Sequence, residues 1–525
     1  MPKLNLKTIL PKRAWTTTRK IVQTLSLLVF LVLFIAAPHS DWSGSLTNSF
    51  LRLDPLIGFA NLLASRALVA GAALALVTLV LTLIFGKAWC GWICPLGTLL
   101  DLFSFERWRS VRVPPEGWRK VKYGILLVII FAALLGNLTL LIFDPLTILV
   151  RTFTESFWPM LDRLVIFAET SLYRYPGLRE GISSFDRLIR PSLFPLTPED
   201  LRGAGIFVVV FFIIVLLNLV ARRFWCRYLC PLGGLLGWIS KLAIIRRRVG
   251  TECTGCALCV RDCPTGTINP ELGYASDPAE CTMCMDCLES CPVGATHFPV
   301  HLGLADFQSY DPDRRQVLLS VGAAIAGVGL LRMGSSTDRS ASYLIRPPGT
   351  EEVDLMSACV RCGQCIRVCP TGGLHPAMTR AGIEGLWTPI LIPRLGYCDY
   401  SCNACGESCP VNAIPTLSLE QKRVQVIGQA VIDQDRCIPW AEEQDCIVCE
   451  EMCPLPEKAI VLEVVEVNQV NGHTLTVQRP KVLVDRCIGC GICEYKCPVE
   501  GEAAIRVHVT GDLNHEVQFK AKSAV

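Results

Sequence analysis

The sequence predicts an α-helical, polytopic membrane domain with an internal repeat, followed by small α+β domains organised around cysteine. Three observations carry this. The 525 residues are 51% hydrophobic and only 18% charged, apolar for a soluble chain and enough for three or four domains. Four uncharged runs, 21–37, 67–86, 124–143 and 203–220, approach the roughly 20 residues that cross a hydrocarbon core as helix. Most of the 28 cysteines stand in tight groups closing on Cys-Pro, a metal-ligand pattern rather than a disulfide scaffold. A net charge of +3, without basic blocks or interleaved aromatics, excludes a nucleic-acid footprint.

Charge sets the orientation. Residues 1–20 carry Lys3, Lys7, Lys12, Arg13, Arg19 and Lys20, which hold the N-terminus in the cytoplasm of a bacterial inner membrane. Within the membrane domain, 21–245, the connection 87–123 falls inside, with Lys87, Arg107, Arg109, Arg112, Arg119, Lys120 and Lys122. The connection 144–202 falls outside; its seven arginines are interspersed with acids, and long mixed loops count for little. Arg222, Arg223, Arg227, Lys241 and Arg246–Arg248 return the chain to the cytoplasm ahead of a cysteine-rich domain at 246–300.

The membrane domain repeats itself. "RLDPLIGF" at 52–59 precedes a helix ending in "WCGWICPLG", and "IFDPLTIL" at 142–149 precedes one ending in "WCRYLCPLG". Paired membrane repeats often hold a site between them. A fifth apolar segment, 312–335, contains "RRQVLLSVGAAIAGVGLLR". Its uncharged stretch 316–331 makes about 24 Å of helix, short of the hydrocarbon core. A weak apolar run behind paired arginines reads as a twin-arginine export signal or anchor, against a buried helix between soluble domains. As an export signal it would place a domain at 345–512 in the periplasm.

A four-iron cluster needs four thiolates, and the run Cys-x2-Cys-x2-Cys-x3-Cys-Pro gives three to one cluster and the fourth to its neighbour. By that swap Cys253, Cys256, Cys259 and Cys291 hold one cluster, and Cys281, Cys284, Cys287 and Cys263 another. Two more quartets are regular: Cys359, Cys362, Cys365, Cys369 and Cys487, Cys490, Cys493, Cys497. Cys398, Cys402, Cys405, Cys409 opens with a three-residue gap, and Cys437, Cys446, Cys449, Cys453 with an eight-residue insertion. The spacing leaves neighbouring and nested pairing of these last four quartets open. Zinc would need isolated Cys-x2-Cys pairs. "KAIVLEVVEV" and "KVLVDR" supply the small strands that flank such clusters. Six [4Fe-4S] clusters in bacterial-ferredoxin-like domains are expected.

Cys90, Cys94, Cys226 and Cys230 remain, each pair where a spanning helix meets the cytoplasm. At i,i+4 on a helix the thiols face one way, and the repeat gathers four. They read as a seventh metal or cluster site, a thiol–disulfide couple, or buried thiols at a helix break. Asp54 and Asp144, at the outer face, are candidates for handling quinol protons. Asp before Pro is also a helix N-cap, and that reading is the stronger one locally. No Cys-x-x-Cys-His, no histidine within the four runs and no nucleotide-binding glycine motif occurs, which argues against c-type haem, bis-histidine haem and nucleotide.

Up to about residue 300 the chain resembles the NapH/MauN membrane ferredoxins, in its four spans, the motifs at Cys90/Cys94 and Cys226/Cys230, and two cluster quartets. From Arg314 it is similar to their partner, the NapG/MauM ferredoxin. The resemblance implies a fusion of the two: a quinol dehydrogenase module drawing on the membrane quinone pool and delivering electrons to a periplasmic reductase or c-type cytochrome. Alternatives are a copper-reducing assembly factor and a membrane-anchored polyferredoxin that is wholly cytoplasmic.

Overall fold

A computed structural model describes residues 12–38, 44–67, 69–104, 116–188, 193–194, 204–300, 314–333, 344–378, 380–468 and 474–509. Lys3, Lys7, Arg107, Arg109, Arg112 and the ends of the 312–335 and 345–512 segments lie outside them.

Two described helices are long and apolar enough to cross a membrane, by length and composition: Ala14–Ala36 and Arg314–Leu331. The other three runs give shorter helices, Ala73–Phe85, Lys120–Leu134 and Ala204–Leu216, each below the length of a full crossing by itself. Local breaks explain it. Gly86, at φ 69°, closes the first, and beyond Leu134 the chain turns at Gly136, φ 76°, into a 3-10 turn, Thr139–Phe143.

The difference is made up by four short helices that each begin at a proline. Pro55–Ser65 and Pro145–Thr152 follow Asp54 and Asp144; Pro95–Leu102 and Pro231–Ser240 follow Cys94 and Cys230. Proline suits the first helical position, where its missing N–H is not needed. The leucine after each proline, Leu56, Leu96, Leu146 and Leu232, is essentially fully buried. These half-helices form the centre of the body rather than its rims.

The fifth segment also departs from expectation. Arg314–Met333 is a continuous helix of 20 residues, about 30 Å long, packed along Lys120–Leu134. Ala324 and Val328 are buried against the body while Leu318, Leu319, Ile325 and Leu330 face outward. It is not a helix enclosed between soluble domains.

The two cysteine-rich units dock on opposite ends of this body. Arg19, near the start of the first helix, pairs with Asp286 at 3.0 Å, whereas Phe34 in the same helix lies under Arg367. Fifteen helical residues separate those contacts, about 22 Å. Likewise Lys122 touches Glu280, and Asn137, beyond the other end of that helix, donates to Glu384. Each interface has a place that a Cβ would fill. A Cβ on Gly91 would stand 2.2 Å from the Thr282 carbonyl oxygen, and one on Gly44 2.1 Å from that of Glu407. Both units are built from short helices and two-stranded antiparallel sheets, the longest Ile460–Asn468 with Thr474–Val482; the first strand falls on "KAIVLEVVEV" as expected, whereas its partner ends at Val482 and the rest of "KVLVDR" is loop and turn.

Candidate functional site

The C-terminal cysteine-rich unit, docked at the Phe34 end of the body and labelled the outer unit for that place alone, carries four thiol groups in space. Cys359, Cys362, Cys365 and Cys409 line one cavity, and Cys369, Cys398, Cys402 and Cys405 a second. Cys437, Cys446, Cys449 and Cys497 line a third. Cys453 interacts electrostatically with Cys487 and Cys490, which in turn act on Cys493. Neighbouring quartets therefore exchange their last cysteine, and the nested alternative does not form. The insertion before Cys446 folds into one helical turn, Ile438–Ala441, with the Trp440 indole donating to the Pro480 carbonyl, and Cys437 keeps its place.

The four groups follow one another. The first abuts the helical body, where Arg151 donates to the Arg361 carbonyl. The second touches the fourth through the Cys398 amide, which donates to the Cys490 carbonyl at 2.8 Å. Cys493 and Cys449 connect the fourth to the third, which lies farthest along.

At the other end, Cys263 acts electrostatically on Cys281, Cys284 and Cys287, the half of the expected exchange that joins Cys263 to the following quartet, and Cys253 and Cys256 act on Cys259. Arg247 donates to the Cys287 sulfur at 3.3 Å, and backbone amides of Ala295 and Ala430 donate to Cys291 and Cys487. Such N–H···S bonds set cluster potential.

Among the described residues no three His, Cys, Asp or Glu side chains close on a point as a single ion demands. The thiols instead surround wider spaces, as a cubane requires, because each of its thiolates binds a different iron. The residues fit iron–sulfur clusters. Burial pushes the Cys362, Cys449 and Cys490 thiols up to about 12, which keeps them protonated and poorly nucleophilic as free groups.

Cys90, Cys94, Cys226 and Cys230 do meet. Cys230 interacts electrostatically with all three others. They are not on continuous helices, as i,i+4 spacing suggests: Cys94 and Cys230 cap new helices, with their amides donating back to Trp89 and Trp225 at 3.0 and 2.9 Å. Nor are they remote from the acids. Asp54 lies within electrostatic reach of Cys90, although the sequence places them at opposite faces. Asp54 and Asp144 cap their helices, accepting from Leu56 and Ile57 and from Leu146 and Thr147. Both are fully buried, and their side chains interact with each other.

Sequence reasoning missed the buried charges around these sites. Arg223 donates to Asp101 at 2.8 and 2.5 Å and to the Cys90 carbonyl at 3.1 Å. Lys122 and Tyr123 both donate to Glu280, at 2.5 and 2.9 Å, with Lys87 at 3.8 Å. A cavity of about 510 Å³ opens between Pro55–Ser65 and Ala73–Phe85, walled by Leu51, Phe59, Leu76 and Leu79. Arg52 and Asn61 are its polar groups, and Pro410 and Val411, which follow Cys409, close one side.

Known proteins resemble this arrangement in parts. A family model described as "4Fe-4S binding domain" matches residues 67–115 and 203–252, one copy on each repeat, each covering one Cys-x3-Cys pair. A "4Fe-4S dicluster domain" matches 273–370, from the Cys281 quartet to the Cys359 quartet, which the fold sends to opposite ends. The methylamine utilization ferredoxin-type protein MauM of Methylorubrum extorquens is 35% identical over 206 residues, 37% of this chain and 89% of that protein. The ferredoxin-type protein NapG of Escherichia coli is 32% identical over 216 residues, 39% of this chain and 89% of NapG. MauN of Methylobacillus flagellatus is 26% identical over 271 residues, 49% of this chain and 79% of MauN. No solved structure matches.

Proposed function

Because the chain belongs to the ferredoxin-type 4Fe-4S electron-transfer proteins represented by MauM and NapG, we propose that it is a membrane conduit, with a quinol dehydrogenase module and a cluster relay joined in one polypeptide. The observation that carries this is the docking of two cluster-binding units on opposite ends of one apolar helical body. Six [4Fe-4S] clusters occupy the six thiol groups. The four N-terminal apolar runs span the membrane with the help of the half-helices, and Arg314–Met333 is a retained fifth span that carries the chain to the periplasmic side. Its packing along Lys120–Leu134 supports an anchor over a cleaved leader.

Quinol binds in the apolar cavity beside Cys409. Arg52 and Asn61 supply polar contacts for a headgroup, and the walls suit an isoprenoid tail. Oxidation of one quinol releases two electrons and two protons. Cys359, Cys362, Cys365 and Cys409 would hold the cluster nearest the cavity, which would supply a one-electron acceptor for quinol, and the other three thiol groups of this unit would hold the rest of the relay. Electrons leave at the Cys437, Cys446, Cys449 and Cys497 cluster for a periplasmic reductase or cytochrome. Clusters suit this work because charge, hydrogen bonds and exposure tune their potentials over a wide range.

The test is the side on which the C-terminal unit resides. With an epitope tag after Val525, protease added to intact spheroplasts removes the tag if the unit is exported. Protection until lysis would overturn the conduit and leave a cytoplasmic polyferredoxin.

A further inference from the structure

The conduit reading leaves the cytoplasmic clusters apart from the outer ones by the thickness of the helical body, and the four central thiols lie between. We propose that Cys90, Cys94, Cys226 and Cys230 together hold a seventh iron–sulfur centre, two thiolates from each repeat, which relays electrons between the two ends.

Four features of the site support it. The two motifs have the same local geometry, so the repeat builds one site from two halves. A Cβ on Gly97 would meet the Cys90 carbonyl at 3.0 Å, and one on Gly233 the Cys226 carbonyl at 3.5 Å. In each half the second cysteine begins a proline-led helix, and the Gly233 amide donates to the Cys230 sulfur at 3.2 Å. Thiolates at such helix starts meet the positive end of the helix dipole.

Charge is balanced in the same direction. Lys87 and Arg223 both act electrostatically on Cys90 and Cys226, and Lys122 acts on Cys90. A thiolate-ligated iron centre is anionic, and a buried anion needs such partners. Glu280 meets Lys87 and Lys122, and Asp101 meets Arg223, so among these five groups three cations face two carboxylates and one positive charge is left over beside the thiols.

The neighbours are redox groups. Gly91, next to Cys90, lies against Thr282, next to Cys281, and the Trp92 indole donates to the Met283 carbonyl, next to Cys284, at 2.8 Å. Arg223 interacts with Cys226 and Cys284 at once. On the other side, one apolar core contains Cys90, Cys94, Cys230, Cys359 and Cys362. The site thus adjoins a cytoplasmic cluster directly and the first outer cluster through packed side chains.

The ligand chemistry narrows to iron–sulfur. No single-ion set occurs among the described residues, and all four cysteines are free rather than paired as disulfides. Four thiolates hold either a two-iron or a four-iron centre. The step is a one-electron exchange: the centre gains an electron from the cluster on one side and loses it to the cluster on the other, with no bond made or broken.

The inference takes its role from the conduit reading, but its test is stoichiometric and independent of export or quinol. In anaerobically purified full-length protein, six four-iron clusters account for about 24 irons per chain. Iron and acid-labile sulfide above that level are expected, with one further paramagnetic signal on stepwise reduction. Cys90→Ser/Cys226→Ser and, separately, Cys94→Ser/Cys230→Ser should each lose that excess and that signal while retaining the six clusters. Total iron stopping at six filled clusters in the wild type, or iron and signals unchanged in both variants, overturns the proposal. The wild-type measurement decides the matter even where a variant fails to fold.

Discussion

At the Arg19 end of the helical body the cysteine-rich unit is held by buried ion pairs, with Arg119 on the Thr265 and Gly266 carbonyls besides; at the Phe34 end its counterpart is held by guanidinium groups on carbonyls and rings. The first interface centres on Glu280, which meets Lys122, Lys87 and the Tyr123 hydroxyl, with Arg19–Asp286 beside it. The second uses Arg151 on the Arg361 carbonyl, Asn61 on the Ala358 carbonyl, and Arg367 over Phe34 and Trp158 at 4.8 and 4.6 Å. A buried ion pair is defined by both partners and fails badly when one is removed. A cation on a ring or a carbonyl depends less on an opposite charge, although Arg151 also lies within electrostatic reach of Glu155. The two ends therefore differ in how they break.

The largest effect is expected at the ionic end. Glu280→Gln strands two buried ammonium groups and should destabilise the docking of the 248–297 unit by about 3–5 kcal/mol, read as early protease cleavage of that unit with the outer unit intact. Acid should do the same to the wild type. Burial alone raises the Glu280 carboxyl, but Lys122 and Lys87 overcome it and hold it at about 2, below its ordinary 4.5. A depressed carboxylate contributes stability that is fully present above its unfolded value. That stability is lost as pH falls from 4.5 towards 2. Equal acid sensitivity of docking in the Glu280→Gln protein would show that another group sets the response.

The guanidinium end should yield less. Arg367→Ala removes a desolvated cation from two ring faces and should cost about 2 kcal/mol in thermal stability of the outer unit. Arg367→Lys should restore part of it, since an ammonium is still attracted by the rings. Full loss in the lysine variant would mean that hydrogen bonding of the planar fork carries the contact. Neither variant should alter the acid response of the opposite unit, and that independence is what separates the two ends.

How far the sequence revealed this differs by feature. The cysteine quartets were readable because their spacing is local: three ligands and the turn between them lie within a dozen residues. Which quartets exchange their fourth cysteine was not, since Cys409 joins Cys359, Cys362 and Cys365 only through folding. The Asp-Pro-Leu repeats announced two helix starts and the Cys-Pro-Leu repeats two helix breaks, but not that new helices begin at all four and lie in the centre. Lys87, Lys122 and Arg223 read as surface charges marking the cytoplasmic side. Their acid partners are far along the chain, Glu280 158 residues from Lys122 and Asp101 122 from Arg223, so no local pattern marks the pairs.

The smallest effect isolates burial from distance. Lys481 and Glu463 form an ion pair of 2.7 Å across the hairpin of the outer unit, nearly as short as the 2.5 Å of Lys122–Glu280. Their side chains are 57% and 52% exposed, against 0% and 5% for the buried pair. Water screens the exposed charges, and ordering two long side chains offsets most of the remaining attraction. A double-mutant cycle with Lys481→Ala and Glu463→Ala should return a coupling under about 0.5 kcal/mol, falling further with added salt. A coupling comparable to that at Glu280 would mean that pair length, and not desolvation, governs these contacts. The contrast drawn between the two ends of the body would then rest on distance alone.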